Sequence, residues 1–235
     1  MPGGESASWD YDCERFRPHM KKRFPARAVL CLALAAGLQV LVFFGTRLLL
    51  PGRALHDLSV PLDGRIPFVP AWITVYFSAY AVWAAGLLII LSAGRARGIR
   101  VLFAYGLALL ICGFVFVLYP CTMERPEIEG EGIFAEWMRF LYRADSPTNL
   151  FPSIHVLASW FCWRGMTGSR KISFPVKTLF FVFWILVSLS VLFVKQHVLA
   201  DIPSAVVLAE LCFFSAGLAR PERIFCCRKK HLSEE

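Results

Sequence analysis

Six long apolar segments, separated by short polar or basic ones, constrain this chain more than any other feature. They cover about residues 28–50, 66–91, 99–119, 151–163, 174–194 and 198–218. A helix rises about 1.5 Å per residue, so about 20 apolar residues cross the hydrocarbon layer of a bilayer. Five segments reach that length. The fourth is short, and its helix is expected to run on to about Met166 or to start at headgroup level. In lipid a backbone must satisfy its own N–H and C=O groups, which selects helices for such segments. The prolines Pro67 and Pro70 suit a turn into the second helix better than its interior. The expected fold is therefore all-α: a polytopic membrane protein with six transmembrane helices. Residues 1–27 form a cytoplasmic N-terminal segment, 28–219 the six-helix membrane domain and 220–235 a basic cytoplasmic tail.

Charge sets the sidedness. With a cytoplasmic N-terminus and six crossings, all but seven of the 25 Lys and Arg fall at cytoplasmic ends. The seven are Arg47, Arg53, Arg65, Arg125, Arg139, Arg143 and Lys195. This is the positive-inside bias, with both termini in the cytoplasm; the expected location is the plasma membrane. Reading the fourth segment as a buried, non-crossing helix would move Lys171 and its neighbours outside and weaken the bias. The net charge of +8 thus belongs to membrane flanks. No nucleic-acid module motif accompanies it, and no nucleic-acid partner is expected. The first apolar run follows 27 polar or mixed residues and is long enough to span, unlike a cleavable signal. Of the cysteines, Cys31, Cys112, Cys162 and Cys212 fall in apolar segments and read as small hydrophobes. Cys121 falls in a loop, and Cys13, Cys226 and Cys227 in polar ends, where the last two are candidates for lipidation. They form no paired metal-binding framework.

Polar groups at the rim of a span are costly to keep, which makes them candidates for function. Three stretches stand out. "YPCTMERP" carries Arg125, whose guanidinium suits phosphate oxygens, or a headgroup anchor. "NLFPSIHV" carries Ser153, a natural N-cap, at a helix start whose N–H groups favour an anion. His155 follows two residues on, as an acid or base or as a packing histidine. "KQHVLADIP" carries His197 and Asp201, four apart and so on one face if helical. A carboxylate on one imidazole nitrogen leaves the other free as nucleophile or base. Lys195 adds a cation nearby, or snorkels to the interface. Between the first two stretches, residues 130–142 read as a short amphipathic helix with Phe134, Trp137, Met138 and Leu141 on one side, fit to lie in the interface.

On the six-span map all three stretches lie at the extracytoplasmic face. Two histidines, a carboxylate and two cations are the parts for phosphoryl transfer through a phosphohistidine. That chemistry needs no metal and no cofactor, and no acidic cluster suited to Mg²⁺ is visible.

"RP" at Arg125, "FPSIHV" and "KQHVLAD" resemble the three signature motifs of the PAP2 superfamily, the type 2 phosphatidic acid phosphatase-like membrane enzymes. The longer stretch "YRADSPTNLFPSIHV" resembles the branch with inositol phosphorylceramide synthase-like members, and the likeness covers about residues 63–204. The resemblance implies that His197 is the nucleophile, Asp201 orients it, His155 is the general acid, and Ser153 and Arg125 bind phosphate. Two cations of the family pattern are missing, at Leu118 and Val191, with Lys195 the available replacement. The activity implied is hydrolysis of a lipid phosphate or pyrophosphate drawn from the bilayer. An alternative is headgroup transfer to an alcohol acceptor such as inositol or a ceramide-like lipid, with Tyr142, Asp145 and Asn149 as candidate pocket residues. A third reading, a transporter or structural membrane protein, requires that His155, His197 and Asp201 do not converge.

Overall fold

The computed structural model describes residues 24–222. Most of the N-terminal segment and the basic tail, with Cys13, Cys226 and Cys227, lie outside the described residues. Seven helices appear among those described: α1 (Phe24–Arg47), α2 (Ile73–Ala93), α3 (Arg95–Leu118), α4 (Ile133–Ala144), α5 (Ile154–Met166), α6 (Phe174–Phe193) and α7 (Asp201–Ala219). Two dipeptide strands, β1 (His56–Asp57) and β2 (Cys121–Thr122), pair in parallel and join the α1–α2 and α3–α4 connections.

Five helices are long and apolar enough to cross a membrane: α1, α2 with the turn before it, α3, α6 and α7. Their outward side chains, such as Leu34, Leu110, Phe114, Leu179 and Phe214, are exposed and apolar, as lipid contact requires. The chain over 66–72 does not belong to α2. It forms a separate turn, with Pro70 opening a 3-10 segment (Pro70–Trp72), because a proline ring excludes the preceding helical turn.

α5 is the exception in length. Its 13 residues rise about 20 Å, short of a bilayer core. Ten of them are buried, on all sides of the helix. Such a helix is surrounded by protein and need not match lipid thickness. α5 packs against α2, α3, α6 and α7. Close approach is possible because α2 carries Gly86 at the contact. A Cβ there would lie 2.8 Å from both Cys162 Sγ and Phe180 Cε1. The two ends of α5 are pinned to opposite ends of the bundle. Ser153 N–H reaches the Asp201 carbonyl at 3.5 Å, and at the far end Arg97 donates to the carbonyls of Thr167 (2.8 Å) and Gly165 (3.2 Å).

α1 sits at the periphery. It packs on α3, where a Cβ on Gly113 would lie 3.0 Å from Val42. Its last residue, Arg47, clasps the loop after α4 through the Ala144 carbonyl, the Ser146 hydroxyl and the Asp145 carboxylate at 3.8 Å. α4 is amphipathic as its sequence predicts. Ala135, Met138 and Leu141 face inward, while Phe134 and Trp137 are exposed. The inward set is the smaller one, because α4 lies close over the 3-10 turn at 70–72 and α2.

This packing predicts opposite outcomes for two glycine substitutions. Gly86→Ala should destabilise by roughly 1–3 kcal/mol through overpacking. Gly106→Ala, whose Cβ would meet only Leu38 at 3.7 Å, should be neutral or stabilise by up to about 1 kcal/mol. Thermal unfolding of the purified protein in detergent measures both.

Candidate active site

The site is built where α6 ends. Lys195 adopts a left-handed backbone (φ 51°), the conformation that reverses a chain at a helix C-terminus. Lys195 N–H bonds the Leu192 carbonyl at 3.1 Å, and Gln196 N–H bonds the Val191 carbonyl at 2.9 Å. This is the paired pattern of a Schellman motif. His197 N–H adds a third bond, to Val191 at 3.1 Å. A non-glycine residue in this conformation costs roughly 1–2 kcal/mol. Offsetting it, the Lys195 ammonium donates to the carbonyls of Ile66 (2.6 Å) and Asp63 (3.0 Å). The buried Asp63 carboxylate in turn accepts from Leu199 N–H and Val60 N–H, each at 2.8 Å.

The reversal turns Gln196 and His197 inward. His197 precedes α7, so the pair with Asp201 does not arise from one helical face. It closes across the start of α7: Asp201 Oδ2 accepts from His197 Nδ1 at 2.9 Å and from Val198 N–H at 3.1 Å. Asp201 is fully buried. With Nδ1–H held there, Nε2 of His197 carries the free lone pair.

His155 is the second residue of α5, inside the turn that Ser153 caps at Val156 N–H (3.4 Å). Its ring is boxed by α2. Tyr76 stacks on it with centroids 4.3 Å apart, Trp83 lies at 5.2 Å, and the Tyr80 hydroxyl is 3.3 Å from Nε2. The two imidazole centroids are 6.3 Å apart. Tyr76, Tyr80 and Trp83 were not singled out from sequence, although their spacing of four and three marks one face of α2.

Arg125 completes the cluster from the α3–α4 connection. Its guanidinium donates to the Asp145 carbonyl (2.5 Å) and to Gln196 Oε1 (2.8 Å), and lies 4.6 Å from the Tyr142 ring. Both hydrogen bonds and the ring fix its plane. Arg125, Asp145, Asn149, His155, Gln196 and His197 line one cavity of about 320 Å³. Burial raises the Asp145 carboxyl pKa against the opposing pull of Arg125 and Arg47. Burial also lowers that of Arg125, which Asp145 counters. Three buried polar atoms of these lining residues, Arg125 Nε, Asn149 Oδ1 and Gln196 Nε2, have no hydrogen-bond partner among the described residues.

Other residues singled out from sequence fall outside the lining. Ser153 is fully buried beneath the start of α5. Tyr142 lies under Arg125, and its hydroxyl donates to the Val194 carbonyl at 3.0 Å. Lys195 points to the 63–66 turn and is not brought to the histidines. Leu118 is exposed, and Val191 is buried with its carbonyl in use. Among the described residues no group of His, Cys, Asp and Glu is arranged to hold a metal ion. Compared with known families, characterised proteins and solved structures, the chain matches none.

The geometry of Lys195 makes a structural role separable from a phosphate-binding one. Lys195→Met should remove two hydrogen bonds and lower stability by about 1–3 kcal/mol. Lys195→Gly should lose the tether but relieve the backbone, and so fall between Met and wild type in thermal unfolding. A phosphate-gripping Lys195 would instead leave unfolding unchanged and weaken phosphate binding alone.

Proposed function

We propose that this chain is an integral membrane phosphohydrolase that cleaves a lipid phosphate or pyrophosphate through a phosphohistidine intermediate. The observation that carries the reading is the pair of imidazoles 6.3 Å apart on one cavity with Arg125, one of them bonded to a buried carboxylate. Acid and nucleophile must flank a single phosphoryl group, and this separation leaves room for one.

In the first step His197 Nε2 attacks phosphorus. The N–P bond forms as the bond to the leaving oxygen breaks. Protonated His155 gives its proton to that oxygen, releasing a lipid alcohol or, from a pyrophosphate, a lipid monophosphate. Asp201 offsets the positive charge that develops on the His197 ring. Arg125 offsets charge on the equatorial oxygens. In the second step neutral His155 takes a proton from water, the water oxygen bonds phosphorus and the N–P bond breaks. His155 is protonated again and inorganic phosphate leaves.

The same two steps with an alcohol in place of water give headgroup transfer. Asp145 and Asn149, polar residues of the cavity lining, favour keeping this second reading, since such side chains suit an acceptor hydroxyl group. Convergence of His155, His197 and Asp201 weighs against a scaffold without chemistry.

We also read α5 as a sixth crossing. It joins the Asp201 end of the bundle to the α2–α3 turn, which supports a passage from one side to the other inside a protein shell. Together with the positive-inside bias, this supports a cavity on the extracytoplasmic side of the plasma membrane, with both termini in the cytoplasm.

The test is turnover of ³²P-labelled lipid phosphate by the purified protein, with and without candidate alcohols. Release of free phosphate without an acceptor marks a phosphatase, whereas label appearing only in a new lipid marks a transferase. His197→Ala should abolish the acid-labile phosphoryl-enzyme. His155→Ala should lower the rate by about 10²–10⁴-fold for an alkyl phosphate and far less for an activated aryl phosphate. Equal losses with both leaving groups would remove His155 from the acid role.

A further inference from the structure

A second cavity, of about 270 Å³, opens among α1, α2, α3 and α5. We propose that it holds the hydrocarbon chain of the lipid phosphate, one chain per site, reached sideways from the bilayer between α1 and α2. This rests on the reading of the catalytic cavity given above.

Continuity is the first argument. Gln39, Val40 and Tyr80 line both cavities, so the two meet there. The second is position. The Tyr80 hydroxyl at this junction lies 3.3 Å from Nε2 of His155. A phosphate in the first cavity and a chain in the second would put the oxygen that joins them at that junction, beside the group proposed to protonate it. The third is chemistry. Beyond the junction the walls are apolar, including Ala35, Ala84 and Leu87. Gln39 turns its amide oxygen to the Tyr105 hydroxyl at 2.6 Å, so its carbonyl is satisfied by protein. An apolar cavity takes hydrocarbon in preference to water. The fourth is shape. The lining follows α2 from Tyr80 to Ile90, a rise of about 15 Å. Val40, at the junction, lines both cavities and is itself exposed, which gives a chain in the bilayer a way in.

The experiment uses dodecylphosphonate, whose C–P bond is not cleaved, carrying a diazirine at the chain end. Photolysis with the full-length protein in detergent should label residues 32–40 of α1 and 83–90 of α2, and excess unlabelled dodecylphosphonate should suppress that label. Competed label on α6 or α7 instead would overturn the assignment. A second measurement uses inhibition by butyl, octyl and dodecyl phosphonates. Each buried methylene is worth a factor of about four, so octyl should bind at least tenfold more tightly than butyl. Ala84→Phe and Ala35→Phe should erase that gain while leaving butylphosphonate and the turnover of an aryl phosphate unchanged. Retention of the wild-type chain-length dependence in both variants would place the chain elsewhere and leave the catalytic reading intact. Failure of wild type to bind or hydrolyse any phosphate ester would remove the catalytic reading, and this site with it.

Discussion

The active geometry hangs on one backbone reversal, the turn that ends α6. An irregular stretch among apolar helices has no water to satisfy its amides, so each must find a partner within the protein. Here the Val191 carbonyl accepts two of them, from Gln196 and His197. Leu192 accepts a third, from Lys195. Asp63 and Lys195 extend the same logic to the next layer, a carboxylate receiving two amides and an ammonium giving to two carbonyls. With these satisfied, the His197 ring lies inward, on Asp201. The position of the ring is thus a consequence of backbone hydrogen-bond accounting as much as of the His–Asp pair itself.

The helices were legible in the sequence because lipid-facing residues must be apolar, and that leaves long uninterrupted runs. The cap of α5 was legible too, since Ser153 is the residue type that satisfies a free helix N–H. Other features were hidden for physical reasons. Whether an apolar helix touches lipid or protein leaves no mark on its composition, so the burial of most of the short α5 could not be read. A charged side chain at an apolar rim can bind a ligand or tie down a loop, and Lys195 has the same letter in either case. His197 and Asp201 share a spacing that a helix would use, yet they meet across a turn. The box of Tyr76, Tyr80 and Trp83 lay in plain view at helical spacing, but the same spacing is ordinary for aromatic residues in a membrane helix.

Arg125 is held in place before any ligand arrives. Its two hydrogen bonds and the Tyr142 face leave it little freedom to lose when an anion arrives, so more of the electrostatic attraction survives as binding. Its anchors are a backbone carbonyl and an amide oxygen, neither of which carries a full charge. An anchor of opposite charge would have competed with phosphate for the guanidinium.

Asp145 poses the harder electrostatic question, since its carboxyl lines the same cavity. An ionised carboxylate beside a phosphate would repel it. Two features reduce that conflict. Arg47, arriving from α1, stands 3.8 Å from Asp145 Oδ1 and partly offsets the charge of its ionised form. Burial also raises the carboxyl pKa, and an approaching anion pushes in the same direction. Binding of a phosphate would therefore favour a proton on Asp145, turning a repelling group into a donor. Because Arg47 is the last residue of α1, and α1 also walls the apolar cavity, the same helix would bear on both the charge and the chain of the proposed lipid phosphate. That coupling follows from the peripheral position of α1: it is the helix least committed to the core, and the one through which substrate in the bilayer would first be felt.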